Sequence, residues 1–307
     1  MSTIIKILRN INPLKESPNC GKLEYVISKI LAFLLIYLSA ALIMEGIIIL
    51  IFSSLGYDFL HGEMPKGEWV NLLPFYGFVG FAVLALLYVK IIEKQSLSSI
   101  KLEWNSKLLK AFVKGFAIGN ILVILLISIL LSTGNYKYNG LGKVDKTIVM
   151  WLFAYIIQGV SEEIMCRGFL QNSLKRRVST GVAILISSGA FIYPHISSIQ
   201  RMNGVSILVA LINLLLVSIL FSLAMIKENS IGAACGIHIG WNFFLGNIFG
   251  LQVSGGTSVD GIFQFIVQPE HAWLTGGIYG IEASALLLPI LLILDVIYIK
   301  RIKGKCD

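Results

Sequence analysis

Two adjacent glutamates, Glu162 and Glu163, stand in the stretch GVSEEIMCRGFLQ, with Arg167 four residues on. A carboxylate there can take a proton from water, bind a metal ion, or pair with a cation. Neighbours on a helix point about 100° apart, so the two glutamates cannot share one task. Glu163 and Arg167 are i,i+4 and lie on one face, where an ion pair offsets part of the cost of burying charge. Glu162 then faces elsewhere, in the direction of Cys166.

Two of the four histidines stand in equally apolar surroundings. His195 closes GAFIYPH directly after Pro194, which weakens a helix and frees backbone carbonyls. Such a break is tolerated at membrane depth only where it lines protein or water. His238 lies in SIGAACGIHIGWNFFLG, with Asn242 one turn later on the same face. The small residues Gly232, Ala233, Ala234, Gly236 and Gly240 allow a neighbouring helix to come close. Glu162, His195 and His238 are a sensible ligand set for a catalytic Zn2+ that keeps a position open for water. They suit metal-free chemistry as well. A carboxylate in a low-dielectric cavity can deprotonate water, and an imidazole or amide can stabilise the resulting oxyanion. Either route is hydrolysis, most simply of a peptide bond. Intramembrane carboxylates and histidines also relay protons, so a proton-coupled transporter is an alternative at this level.

The elements that must hold these residues are membrane helices. Of 307 residues, 56% are hydrophobic and only 14% charged, against roughly 25% charged in a soluble domain. Eight apolar runs read as spans of an all-α, polytopic bundle, at about 26–52, 70–91, 110–132, 147–165, 180–195, 206–226, 231–250 and 282–299. The fourth can run on as one helix to about Leu174, and the fifth is short enough to be partly inserted. With both termini cytosolic, the outer segments hold only Lys66, Lys137, Lys143, Lys146 and Arg201 of the 25 Lys and Arg residues. That is the positive-inside pattern. It accounts for the net charge of +8 through the inner leaflet, with no nucleic acid partner implied.

Residues 1–25 read as a cytosolic segment, 26–299 as the transmembrane domain, and 300–307 as a cytosolic tail. The first apolar run is too long for a signal-peptide core and reads as a retained span. Cys20, Cys166, Cys235 and Cys306 show neither disulfide nor thiolate-metal spacing. Residues 251–281 read as a glycine-rich loop over the outer face. At 1.5 Å per residue, His238 lies about 10 Å from the inner end of its span. A fifth segment that crossed fully would put His195 near the outer surface. A tilted or partial fifth helix removes that conflict.

Taken in order, these motifs resemble the CPBP intramembrane metalloprotease family, which includes CAAX prenyl endopeptidases and bacteriocin-processing or self-immunity proteins. The resemblance rests on Glu-Glu-x-x-x-Arg at Glu162, Glu163 and Arg167, Phe-x-x-x-His at Phe191 and His195, and His-x-x-x-Asn at His238 and Asn242. WLTGGIYGIEAS, Trp273 to Ser284, is similar to a glycine-rich stretch with a glutamate in many bacterial members. SLSSIKL has Lys101 where a glycine is common. The core resemblance covers about 145–250. It implies an intramembrane endopeptidase in which Glu162 activates water and His195 orients that water or binds metal. His238 and Asn242 would stabilise the oxyanion or contribute to a metal site, and Glu163 and Arg167 would support the helix. It implies Zn2+ or a metal-free mechanism, and a membrane-associated peptide or protein substrate, lipidated or not. The Lys- and Ile-rich composition points to a bacterial plasma membrane, and oligomeric state is left open. A non-enzymatic immunity or scaffold protein is the other alternative.

Overall fold

The computed structural model describes residues 10–15, 20–144, 146–256, 261–268 and 271–304. Cys306 and the basic residues Lys6, Arg9 and Lys305 lie outside the described residues. The helices are α1 (Lys22–Ser54), α2 (Glu68–Gly77), α3 (Val79–Leu87), α4 (Ser106–Ser132), α5 (Thr147–Glu163), α6 (Thr180–Ile192), α7 (Gly204–Glu228), α8 (Gly232–Phe243) and α9 (Leu287–Lys303). Two strands, β1 (Tyr136–Leu141) and β2 (Phe263–Val267), interrupt the helical order.

Among the described residues, six helical stretches are long and apolar enough to cross a membrane. They are Lys22–Ser54, Glu68–Ile92, Ser106–Ser132, Thr147–Leu174, Thr180–Ile199 and Gly204–Glu228. They coincide with the first six sequence-predicted spans, and the fourth does continue to Leu174. The last two predicted spans are helical but shorter. α8 continues only through a π-helical turn, Phe244–Ile248, and α9 has 17 residues.

The chain divides into two compact units, one comprising residues up to Leu102 with Phe153–Ala183, the other Glu103–Leu152 with Ile184 onward. In the first, α1 packs on α2, on α3 and on the segment after Glu163. A polar network runs through this unit. Lys29 Nζ sits 2.6 Å from Glu93 Oε1, Arg176 Nη2 lies 2.8 Å from Glu93 Oε2, and the Ser173 hydroxyl donates to the same oxygen at 2.9 Å. Lys29 and Glu93 are both buried, so each needs the other. Lys101, where the resembling family commonly has glycine, holds φ at 62° in the left-handed region. Burial, together with the Lys101 charge, lowers the pKa of Lys175.

In the second unit, α8 lies against α4 along a ladder of glycines. A Cβ on Gly236 would run into the Phe112 carbonyl oxygen, and one on Gly119 into that of Ile237. Glycine on both helices therefore allows backbone-to-backbone contact, and the spacing of four keeps it on one stripe. α7 packs on both α8 and α9. β1 pairs antiparallel with β2, with Tyr136 opposite Val267 and Tyr138 opposite Phe265. This sheet qualifies the all-α reading. The 251–281 stretch is not loop throughout, because its apolar run FQFIV finds a partner at 136–141. Burial raises the Tyr136 phenol pKa.

Candidate active site

In the first unit, α5 delivers both glutamates and then widens into π-helix over Ile164–Gln171. π-Helical turns are uncommon and recur at functional sites. The Glu163–Arg167 pair foreseen from the spacing is formed, with Arg167 Nη1 3.1 Å from Glu163 Oε1 and both side chains fully buried. Glu162 differs from its neighbour. It is half-buried, and Gln158, one turn earlier, donates its side-chain N–H to Oε1 at 3.2 Å. One glutamate is thus committed to an internal cation, while the other is only half-buried and takes a hydrogen bond from Gln158.

The second unit holds His195, His238 and Asn242. At Pro194 the end of the α6 helix tightens into a 3-10 turn, Tyr193–His195. His195 Nδ1 lies 2.9 Å from the Phe191 carbonyl oxygen. A carbonyl only accepts, so Nδ1 carries the proton and donates. The proline-weakened helix end therefore fixes the imidazole tautomer. Phe191 also lies against both histidine rings. Its ring centroid is 5.1 Å from that of His195 and 5.9 Å from that of His238, the second contact edge-on at 81°. Phe221 stacks on His238 at 5.2 Å and 17°. His238 and Asn242 are both buried.

His195, His238 and Asn242 line one cavity of about 30 Å³, with Phe191, Phe221, Asn213, Trp241, Ser254 and Glu282. That volume holds one or two water molecules. Asn213 Nδ2 donates to the carbonyls of Glu282 and Ser284 at 3.0 and 2.8 Å. The Glu282 carboxylate accepts the Trp241 indole N–H at 3.1 Å and the Ser254 backbone N–H. Sequence reading did not single out Asn213, Trp241, Ser254 or Glu282 as site residues. Asn213 had a signal, a lone amide in the apolar run ILVALINLLLVSIL. Glu282 had one too, as the acidic residue of the glycine-rich stretch.

Among the described residues, no group of three or more His, Cys, Asp or Glu side chains is arranged to hold a metal ion. The candidate zinc ligands lie on both units, Glu162 on the first and His195 and His238 on the second.

Residues 144–244 match the family described as type II CAAX prenyl endopeptidase Rce1-like. The match spans about a third of the chain and contains Glu162, Glu163, Arg167, His195, His238 and Asn242. It agrees with the resemblance drawn from the three motifs, and it supports a CAAX-type endopeptidase in general within a multi-pass membrane protein. No curated protein and no solved structure matches the chain.

Proposed function

We propose that the chain is an intramembrane endopeptidase that hydrolyses a peptide bond in a membrane-associated or hydrophobic peptide or protein, lipidated or not. The observation that carries this reading is the division of labour between the adjacent glutamates. Glu163 is consumed by Arg167, whereas Glu162 is half-buried and steadied by Gln158. A carboxylate that is held in place and not locked into an internal ion pair suits a general base.

In the proposed reaction, Glu162 takes a proton from water as the water oxygen attacks the scissile carbonyl carbon. His195, its tautomer set by the Phe191 carbonyl, orients that water. His238 and Asn242 donate to the oxyanion of the tetrahedral intermediate. The intermediate collapses with cleavage of the C–N bond, and the proton held by Glu162 passes to the leaving amine. Glu163 and Arg167 act as structural support. We further propose eight membrane crossings, with α8 and α9 as the last two and both termini cytosolic, in a bacterial plasma membrane. Both helices meet the lower limit of roughly 17 residues for a span when α8 is taken with its π-helical continuation.

The test is cleavage of a peptide library by purified protein in detergent, beside Glu162→Ala, with products read by mass spectrometry. Cleavage by wild type that is lost in a folded Glu162→Ala protein supports the reading. Cleavage surviving in that variant refutes Glu162 as base. Metal analysis of the same samples, with and without chelator, separates the glutamate-dependent route from a zinc-dependent one.

A further inference from the structure

The second unit's cavity contains a carboxylate that lies beyond the matched stretch and has no part in the reaction above. Glu282 sits in a 3-10 turn, Ile281–Ala283, just before α9. The chain reaches it through Gly276, Gly277 and Gly280, with φ of 84°, 58° and 93°. A Cβ on Gly276 would collide with the Gly280 carbonyl. The glycine-rich stretch is thus a tight turn that aims one acidic residue into the cavity.

Glu282 is the point where three pieces of the unit meet. Its carboxylate accepts from Trp241 on α8 and from Ser254, whose hydroxyl also lies 3.5 Å from Oε1. Its backbone carbonyl accepts from Asn213 on α7. Trp241 comes three residues after His238 and directly before Asn242. The glycine ladder sets how close α8 comes to α4, but glycines offer no side chain to fix the helix's rotation. The indole-to-carboxylate hydrogen bond does so, next to the two residues that must meet an oxyanion. Errors of about 1 Å in such placement cost on the order of a hundredfold in rate.

We propose that Glu282 is a positioning residue, which sets the His238–Asn242 face of α8 by clamping Trp241 and Ser254. The proposal rests on the endopeptidase reading for its effect on rate, but its effect on structure stands apart from that reading.

The experiment uses the full chain in detergent and compares wild type with Glu282→Ala, Glu282→Gln, Trp241→Phe and the double variant Glu282→Ala/Trp241→Phe. Two quantities are read, kcat and KM on a peptide that wild type cleaves, and amide hydrogen exchange along the chain. Glu282→Ala and Trp241→Phe should each lower kcat by about tenfold to a hundredfold, with KM within about twofold. The double variant should be no slower than the slower single, because both changes break one contact. Glu282→Gln should recover part of kcat, since its amide oxygen still accepts from the indole. Exchange should rise at Ser254 and over 238–242 in Glu282→Ala, with other segments unchanged. Wild-type kcat in Glu282→Ala, additive losses, or a rise in KM at constant kcat would overturn the proposal. So would a uniform rise in exchange, which marks general destabilisation. If wild type cleaves no peptide, that failure falls on the endopeptidase reading. The exchange data then decide the positioning role alone, and unchanged protection at 238–242 in Glu282→Ala overturns it.

Discussion

The Glu163–Arg167 pair offers the sharpest energetic test. Its atoms are 3.1 Å apart, and neither side chain has any exposed surface. At an effective dielectric of about 20, two unit charges at that separation attract by about 5 kcal/mol. Removing one partner takes from the other buried charge its ion-pair partner, which costs about 3–5 kcal/mol. Glu163→Gln and Arg167→Met should therefore each destabilise by that amount. The double variant Glu163→Gln/Arg167→Met removes both desolvated charges together and should lie within about 1–2 kcal/mol of wild type. The expected coupling energy is thus about 4 kcal/mol or more, above the usual range of about 0.5–3 kcal/mol for residues in contact. Reversible unfolding of the purified protein in mixed detergent micelles supplies all four corners of the cycle. Singles costing less than about 1 kcal/mol would mean the pair behaves like an exposed one. A double equal to the two singles combined would mean the charges act independently. Either result refutes the reasoning. If support is their whole role, the double variant should also retain cleavage per folded molecule, while Glu162→Ala retains none.

Three further outcomes are expected in the same unfolding assay. Gly236→Val should destabilise by about 3 kcal/mol, because its side chain must displace the Phe112 carbonyl and separate α8 from α4. Asp295 is buried on α9, and neither carboxylate oxygen has a hydrogen-bond partner among the described residues. Asp295→Leu should then stabilise by about 1–3 kcal/mol; destabilisation would show that this carboxylate has a partner of its own. Lys101→Gly should stabilise by up to about 1 kcal/mol, since glycine takes φ near 62° without strain and the repulsion on Lys175 is relieved.

How much of this could be read from sequence follows from the range of each contact. Six spans were legible because an apolar run is a local signal, and no tertiary partner is needed to see it. The Glu163–Arg167 pair was legible for the same reason, as helical geometry alone brings i and i+4 together. The glycines of α8 announced a close neighbour but not which one; that neighbour is α4, itself carrying Gly115 and Gly119 at matching spacing. The sheet was not legible. β1 and β2 are more than a hundred residues apart, and each is too short to declare itself without the other. The cavity divides along the same line. His195, His238 and Asn242 stood out as polar residues in apolar runs, which is a statement about each residue alone. Trp241 and Glu282 join across 41 residues of chain, through a turn that only left-handed glycines can make. Nothing in the spacing of an indole and a distant carboxylate predicts that contact. A motif can thus name candidate residues, while a contact such as that of Trp241 with Glu282 reaches beyond it. By that logic the segment after the matched core is where further rate-determining residues should be sought, and Glu282 is the first to try.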